Sequence, residues 1–453
     1  GLGFTRAGAD TAHDRKIALQ RKRAGNSGQI IIAAIADDEQ LESAAVKSCQ
    51  HIERSVEERG FTSFQGRLLA RARVFMKRFR QVLRALRQRL PGVRFEGVGG
   101  PLMTAEGCQS LALFEMLSVM GITEVAGRLF ELLRIRRDLA RRFLANPPDL
   151  FIGIDSPGFN LGLAGRLKRA GIPTVQYVSP QVWAWRSYRA HKIRRAVDRV
   201  LTLFPFESTF YKQHKVSATF VGHPLADEIA GAVDRPALRK KLHLSQDKTV
   251  IALLPGSRVS ELKAHADLFV RTALWLYARN QNLHFVAPFV NRRTRLIFEE
   301  AVKHHGAWDL PITRLHGHSR QAMGAADIAL LASGTAALEA MLLGRPMVVT
   351  YKVSWLSSWL IKSFAHVKFF SMPNHLAGRP LVPEYLQRAA HPGILGQAIE
   401  RGLQATAETE KTLQTFENLA KTLRRGANER AAKAVLAVLR RAGKLKKTVR
   451  RAA

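Results

Sequence analysis

Short apolar runs alternate with amphipathic stretches along most of this chain, from about residue 80 onward. The runs "PDLFIGID" and "PTVQYVSP" have the composition of buried strands, and the helical stretch "LGLAGRLKRAG" lies between them. This order is typical of a parallel sheet that is covered by helices on both faces. Because the pattern starts again at "TVIALLPGSR", the sequence predicts the α/β class, with two doubly wound, Rossmann-like domains that face each other across a cleft.

The same pattern divides the chain into four segments. Residues 79–224 form the first predicted domain and residues 225–392 the second, with a weakly patterned joint at 225–248. Residues 393–453 are predicted to be C-terminal helices and a basic tail. Residues 1–78 do not fit: "QIIIAAIADDE" can form a strand, but no glycine-rich turn follows it. The arginine-rich run that comes next is either a solvated amphipathic helix or a helix on a lipid surface.

The charge balance is strongly basic, with 71 Lys and Arg against 36 Asp and Glu and a pI of about 11.1. This excess indicates an anionic partner: a nucleic acid, a phosphorylated metabolite or an acidic membrane surface. The sequence has no helix-turn-helix, zinc-finger or RNA-binding motif, and the charge is spread over many helices. We therefore do not expect nucleic acid as the partner.

Cysteine content and hydropathy indicate the compartment. The two cysteines, Cys49 and Cys108, provide neither a disulfide framework nor a metal-binding cluster. The first residues lack the apolar run of a secretory signal, and no stretch reaches about 18 uninterrupted apolar residues. We expect a cytoplasmic protein without a bound metal or cofactor.

Ligands of open parallel sheets bind beyond the carboxyl ends of the strands, and "LLPGSR" lies at such an end. Gly256 lets a ligand approach the backbone, and Ser257 precedes a helix whose first N–H groups are free. Arg258 can form a bidentate contact with a phosphate. An ordinary strand-to-helix turn with a solvated arginine explains this motif equally well.

The stretch "LLASGTAALEAM" is a stronger indication of a nucleotide site. A predicted strand ends at Gly334 and a helix starts near Thr335, so the hydroxyl and the first-turn amides can hold a diphosphate. Glu339, about one turn further, can accept hydrogen bonds from ribose hydroxyls, although the helix dipole favours a glutamate there in any case. The fingerprints of dinucleotide sites and P-loops do not occur at a suitable strand end.

Two further clusters lie in the first predicted domain. Asp155 follows a strand at the edge that faces the cleft, where it is either a general base or part of the cap of the next helix. Trp183 and Trp185 in "YVSPQVWAWR", with Arg186 directly after them, either form a surface for an apolar ligand or pack between the domains. The residues alone leave both alternatives open.

Taken in order, the motifs resemble those of the lipid-A-disaccharide synthases, which are bacterial GT-B glycosyltransferases of family 19. The resemblance covers roughly residues 80–440 and rests on "FEGVGGPLMTAEGCQSL", "LSVMGITEV", "GIDSPGFN", "SPQVWAWR", "FPFE", "VGHPLAD", "LLPGSR", "SGTAALEAMLLGRPMVV" and "MPNHLAGRPLVPEYLQ". It implies a metal-independent, inverting transfer in lipid A biosynthesis. The family joins UDP-2,3-diacylglucosamine to 2,3-diacylglucosamine 1-phosphate (lipid X), giving a β-1,6 disaccharide and UDP.

The resemblance also implies roles for single residues. By motif, Asp155 resembles the candidate base of the family and Arg258 its diphosphate contact. Glu339 and Asn374 resemble residues of its UDP site, although the residues themselves give no independent reason to choose Asn374.

The acylated substrates suggest partners for the remaining features. Trp183 and Trp185 are expected to line an acyl-binding or membrane-facing surface, with Arg186 near a phosphate. The basic charge is expected to hold the enzyme peripherally on the anionic inner membrane. A homodimer is left open.

The resemblance has one gap. The family opens with a strand and a small-residue loop, of the type Gly-Glu-Ala-Ser-Gly-Asp, which lines the cleft and carries a glutamate implicated in catalysis. Here "AAIADDEQ" is at best a distorted substitute and lies too far upstream. Either the segment before residue 80 is misread or frame-shifted, which we favour, or the protein has lost part of its site. We therefore expect the first strand to be missing or improvised and a sheet edge to be left open.

Two alternatives to the synthase remain. A UDP-N-acetylglucosamine 2-epimerase shares the fold and the nucleotide site but has no use for acyl-binding tryptophans. An inactive homologue that binds UDP or lipid is suggested by the missing loop.

Overall fold

The chain folds into two parallel sheets, each covered by helices. A computed structural model describes residues 31–36, 80–99, 101–111, 122–185, 187–231, 233–332, 334–352 and 368–445. The sheets have seven and six strands, and every strand pairing is parallel. This confirms the predicted α/β class. Among the described residues, no helix has the length and apolar character that crossing a membrane requires.

The first sheet and its helices form the first unit. Its elements are β1 (Ile31–Ala36), α1 (80–89), β2 (Arg94–Val98), α2 (Pro101–Ala105), β3 (Cys108–Ser110), α3 (Ile122–Ala145), β4 (Leu150–Ile154), α4 (Pro157–Arg169), β5 (Thr174–Tyr177), α5 (Val182–Trp185), a 3₁₀ turn (Ser187–Arg189), α6 (Ala190–Ala196), β6 (Arg199–Thr202), α7 (Pro205–Gln213), β7 (Ala218–Phe220) and α8 (Pro224–Glu228). The strand order is β3-β2-β1-β4-β5-β6-β7.

The second sheet and its helices form the second unit, in the strand order β10-β9-β8-β11-β12-β13. The elements are α9 (Arg235–Lys241), β8 (Thr249–Leu254), α10 (Val259–Arg279), β9 (Leu283–Phe289), α11 (Arg292–His304), β10 (Ile312–His316), α12 (Ser319–Ala325), β11 (Ile328–Leu331), α13 (Gly334–Leu342), β12 (Met347–Tyr351), α14 (Met372–Ala377), β13 (Glu384–Leu386), a 3₁₀ turn (Gln387–Ala389), α15 (Pro392–Leu403), α16 (Ala407–Leu423) and α17 (Ala427–Arg441).

The run "QIIIAAIADDE" forms a strand, as the sequence allowed, so the expectation of a missing strand and an open sheet edge is wrong and that of an improvised strand holds. β1 lies inside the first sheet and pairs with β2 from Ile31 to Ile35 and with β4 from Ile32 to Ala36. Without it, the facing N–H and C=O groups of β2 and β4 would have no ladder partners. The long connection after β1 does not prevent this pairing, because the entropy cost of closing a loop grows only slowly with its length.

The C-terminal helix α17 returns to the first unit. Its Val435 and Leu439 belong to the same core cluster as Ile152 and Val175 of the first sheet. The carboxylate of Asp227 caps the start of this helix by accepting hydrogen bonds from the N–H groups of residues 425–427, at 2.6–3.1 Å. Phe416 and Ala420 of α16 belong to a core cluster of the second unit, so helices of the predicted segment 393–453 pack on both units. The N–H of His223 donates to the backbone oxygen of Leu423 (2.9 Å), which joins the two connections between the units.

Candidate functional site

The two predicted phosphate-binding motifs lie at neighbouring strand ends of the second sheet. β8 and β11 pair in parallel, with Leu254 beside Leu331 at their carboxyl ends. The turn at 256–258 follows one strand and α13 begins at Gly334 just after the other. The fold thus brings together two motifs that lie more than seventy residues apart in the sequence.

Glu261, in the first turn of α10, binds the backbone of the turn that precedes this helix. Its carboxylate accepts hydrogen bonds from the N–H groups of Ser257 (2.8 Å) and Arg258 (3.2 Å). Gly256, at φ 126°, packs so closely on Glu261 that an added Cβ would lie 2.5 Å from the Cβ of Glu261. The side chain of Arg258 is 49% exposed, with one nitrogen 3.2 Å from Glu261. The exposed part of the guanidinium can therefore reach a ligand at this turn.

The second motif places a glutamate one and a half turns into α13. Glu339 has a side chain 15% exposed, and its Oε1 lies 4.0 Å from the guanidinium of Arg320. At the start of the helix, a Cβ on Gly334 would lie 3.4 Å from the backbone oxygen of Phe370, just ahead of α14. The backbone of Thr335 belongs to α13, but its side chain lies outside the described residues.

Asn374 is buried, and its side-chain amide is used inside the protein. Its Nδ2 donates to the backbone oxygen of Val382 (2.8 Å) and to the carboxylate of Glu384 (2.7 Å). Its Oδ1 accepts from the N–H groups of Leu381 and Val382, both at 2.7 Å. Asn374 therefore ties α14 to the segment that leads into β13.

Asp155 lies at the point where the strand order of the first sheet reverses, directly after β4. This is the place where open α/β sheets bind ligands. The residue has φ 48° and is followed by Ser156 at φ 33°, a conformation that non-glycine residues rarely adopt. Ser156 occupies the N-cap position of α4, and its side chain makes no capping hydrogen bond.

Trp183 packs between the two units, which is one of the alternatives that the sequence left open. Its ring is stacked on His375 of α14, with centroids 4.6 Å apart, and meets the edge of Phe206 at 4.8 Å. Phe206 and His375 also meet, at 4.4 Å. The side chain of Trp185 and the whole of Arg186 lie outside the described residues.

Two titratable groups at this contact were missed by the sequence analysis. Glu207, directly after Phe206, is buried, and burial raises its pKa to about 7 even though the N–H groups of Leu203 and Phe204 donate to it. Burial lowers the pKa of His375. Glu207 lies in the motif "FPFE" and His375 in "MPNH", but neither motif indicates that Phe206 of the first and His375 of the second make contact.

Comparison with known sequences decides the family. The sequence model of the lipid-A-disaccharide synthetase family matches residues 77–438. The chain belongs to the lipid-A-disaccharide synthase family. Two relatives, the lipid-A-disaccharide synthases of Alkalilimnicola ehrlichii and Erwinia tasmaniensis, are each 49% identical to it, over 358 and 360 residues. Each alignment covers 79% of this chain and 94% of the relative.

Membership makes the chain an enzyme of the glycosyltransferase class with a role in lipid A biosynthesis, and it confirms the resemblance. The family match does not support the epimerase alternative, which shares only its fold with this chain. The family match does not supply the missing small-residue loop, because it begins at residue 77 and leaves residues 1–76 outside.

Solved structures confirm the GT-B fold. The UDP-GlcNAc 2-epimerase from Neisseria meningitidis superposes with a TM-score of 0.54 at 10% identity, covering 91% of this chain and 99% of the epimerase. The glycotransferase of kitacinnamycin superposes with a TM-score of 0.53 at 15% identity, covering 90% and 98%. At such identities the likeness extends to the fold alone.

Proposed function

We propose that the chain transfers a diacylglucosamine unit from UDP-2,3-diacylglucosamine to lipid X, with inversion, to give the β-1,6-linked disaccharide 1-phosphate and UDP. The supporting observation is the placement of Arg258 and Gly334 at neighbouring strand ends of one unit and of Asp155 at the switch point of the other. A donor nucleotide on the second unit and an acceptor on the first would meet between the units.

In this proposal Asp155 is the general base. Its carboxylate takes the proton of the acceptor hydroxyl while that oxygen attacks the anomeric carbon from the face opposite the leaving group. The bond between the anomeric carbon and the diphosphate breaks, and UDP departs with the bonding electrons. The guanidinium of Arg258 and the first amides of α13 stabilise the negative charge that develops on the diphosphate.

Release of UDP separates this function from its alternatives. With the donor and lipid X together, we expect UDP and a disaccharide product. An epimerase would convert UDP-N-acetylglucosamine without any acylated acceptor. An inactive homologue would bind UDP but release none from the donor.

Arg258→Ala is expected to weaken UDP binding by about 1.5–3 kcal/mol, the range for a hydrogen bond to a charged group. Calorimetric titration with UDP measures the loss. Arg271→Ala is the matched control, because Arg271 lies on α10, the helix that follows Arg258, and its contact with Asp267 is long, at 3.8 Å. Equal affinity of the Arg258 variant and the control would remove Arg258 from the site.

Transfer is expected to continue in the presence of EDTA. In the described parts of the chain, no group of three His, Cys, Asp or Glu side chains is arranged to hold a metal ion. The leaving diphosphate would then be stabilised by Arg258 and helix amides. An activity that EDTA abolishes and Mg²⁺ or Mn²⁺ restores would contradict this.

We also propose that the enzyme works at the cytoplasmic surface of the inner membrane. The helices α3, α4 and α6 pack side by side and carry exposed basic side chains, and α3 also exposes Leu133 (37%) and Leu144 (45%). The exposed arginines on these helices include Arg134, Arg137, Arg141, Arg166, Arg169 and Arg194. A basic surface of this kind fits an anionic lipid leaflet.

Replacing Arg134, Arg137 and Arg141 together by glutamate is expected to lower partitioning onto anionic vesicles by about 100-fold, since each basic residue near such a surface contributes ~1 kcal/mol. Vesicle sedimentation at fixed salt concentration measures it. The control carries the same charge change at exposed positions of α11, Arg292, Arg293 and Lys303. Equal loss in both variants would mean that net charge, rather than this surface, drives binding.

A further inference from the structure

Two buried amide side chains converge on the backbone oxygen of Asp155. The Nδ2 of Asn160 donates to this oxygen at 3.0 Å and to that of Ile154 at 3.1 Å. The Nε2 of Gln176 donates to the same oxygen of Asp155 at 2.9 Å. Asn160 comes from the first turns of α4 and Gln176 from the neighbouring strand β5, so the strand end at Asp155 is held from two sides.

Each of these amides leaves its own side-chain oxygen buried without a hydrogen bond from the described residues. Asn160 and Gln176 are fully buried, and the side-chain oxygen of each has no hydrogen-bond partner among the described residues. Buried polar atoms in proteins are nearly always paired, so an unpaired one calls for a reason. An apolar side chain at either position would avoid the unpaired oxygen. The N–H donors of the two amides therefore explain why polar side chains occupy these buried positions.

The backbone that they hold is strained. Asp155 (φ 48°), Ser156 (φ 33°) and Val178 (φ 70°) all lie in the left-handed region, which is most unfavourable for a β-branched residue such as valine. These residues follow the adjacent strands β4 and β5, and the amide of Gln176 also lies 3.4 Å from the oxygen of Val178. Such conformations persist only where surrounding contacts enforce them, and they cluster at functional sites.

The glycine of the "GID" motif makes room for this arrangement. Gly153 lies opposite Gln176 in the sheet. A Cβ at this position would lie 2.7 Å from the Oε1 of Gln176 and 2.9 Å from the Cβ of Asn160. Any other residue at 153 would displace one of the two amides, so the glycine, the two amides and Asp155 form one structural group.

We propose that Asn160 and Gln176 are positioning residues for sugar transfer: their amide N–H groups hold the strained strand end so that Asp155 keeps the orientation it needs as base. The proposal rests on the proposed function, in which Asp155 takes the proton of the acceptor. Neither amide touches the reacting atoms, and both act through the backbone of Asp155.

The first test is Gln176→Met, which keeps the length of the side chain and removes its donors. We expect kcat to fall by about 10- to 100-fold, the effect of displacing a catalytic group by about an ångström. The KM for the donor and the affinity for UDP should stay within about twofold, because the nucleotide site lies on the other unit. Thr174→Val is the matched control: Thr174 is buried on the same strand, and its hydroxyl donates to the backbone oxygen of Ala196 (3.2 Å). Its variant should keep kcat.

A double-mutant cycle decides whether Gln176 acts through Asp155. Because a positioning residue has nothing to hold once the base is gone, Asp155→Asn with Gln176→Met should be as slow as Asp155→Asn alone. Additive losses, or an unchanged kcat in Gln176→Met, would overturn the proposal. If Asp155→Asn alone has no effect, the base assignment fails and the positioning proposal falls with it. Should Gln176→Met lose its cooperative unfolding transition, Asn160→Leu takes its place in the same cycle, with the same expected outcomes.

Discussion

Asp155→Asn is expected to lower the turnover of sugar transfer by about 100-fold or more and to leave the affinity for UDP unchanged. The amide has the shape of the carboxylate but cannot accept the proton of the acceptor hydroxyl. The residue follows β4 at the switch point of the first sheet, whereas the predicted nucleotide contacts lie at the ends of β8 and β11 in the second. The substitution should therefore slow the chemical step without changing the binding of the nucleotide.

Steady-state release of UDP from the diacylated donor and lipid X, together with calorimetric titration of UDP, measures both quantities. Asp138→Asn is the matched control, because Asp138 is exposed on α3 of the same unit and lies 3.4 Å from Arg141, which is a long contact. Near-normal turnover in the Asp155 variant would mean that the base lies elsewhere in the chain.

Replacing residues 37–78 with a short connection that contains Gly-Glu-Ala-Ser-Gly-Asp is expected to raise turnover by at least about 100-fold and to leave UDP affinity unchanged. The register of the first sheet gives the reason: Ala36, the last residue of β1, lies beside Ile154, the last residue of β4. A loop that follows β1 therefore starts next to Asp155. The family's small-residue loop would supply contacts there that form in the transition state, and these do not contribute to nucleotide binding.

The structure also makes this replacement simpler, because β1 is already in place and only the residues after it need to change. A Gly-Ser connection of the same length is the control, since it shortens the chain without adding the glutamate. If the natural chain turns over as fast as the repaired one, the missing loop is harmless and its expected role here is wrong. If both connections accelerate transfer equally, the native segment 37–78 obstructs the site, and the glutamate contributes nothing.

Most of the fold was predictable because its signals are local. Four strands of the second unit, β8, β9, β11 and β12, are short apolar runs, and amphipathic helices lie between most of them, so the pattern within one segment was sufficient to predict the α/β class. The motifs after β8 and β11 were predictable for the same reason, since each has a glycine at the junction between the strand and the next helix. The local pattern allowed a strand at β1 but did not indicate its place in the sheet, because its partners are more than fifty residues away in the sequence.

The candidate site was predictable only in part, and Asn374 and Glu261 illustrate why. The motif around Asn374 indicated a residue of the nucleotide site, but its amide hydrogen bonds are made with residues 381–384, and sequence pattern does not predict such bonds. Glu261 lies three residues after Arg258, which is the spacing of a capping box, so its hydrogen bonds to the helix start could have been foreseen.

By itself, the amino-acid sequence determined the class of the fold, the family, the strand ends that Asp155 and Arg258 follow, and the helix that carries Glu339. These depend on hydrophobic periodicity and on motifs that are read within a single segment. Only the tertiary structure decided that β1 completes the first sheet, that Trp183 packs on His375 between the units, and that Asn160 and Gln176 meet at the backbone of Asp155. Each of these joins side chains or strands from separate segments, and such contacts form only when packing of the whole chain brings those segments together.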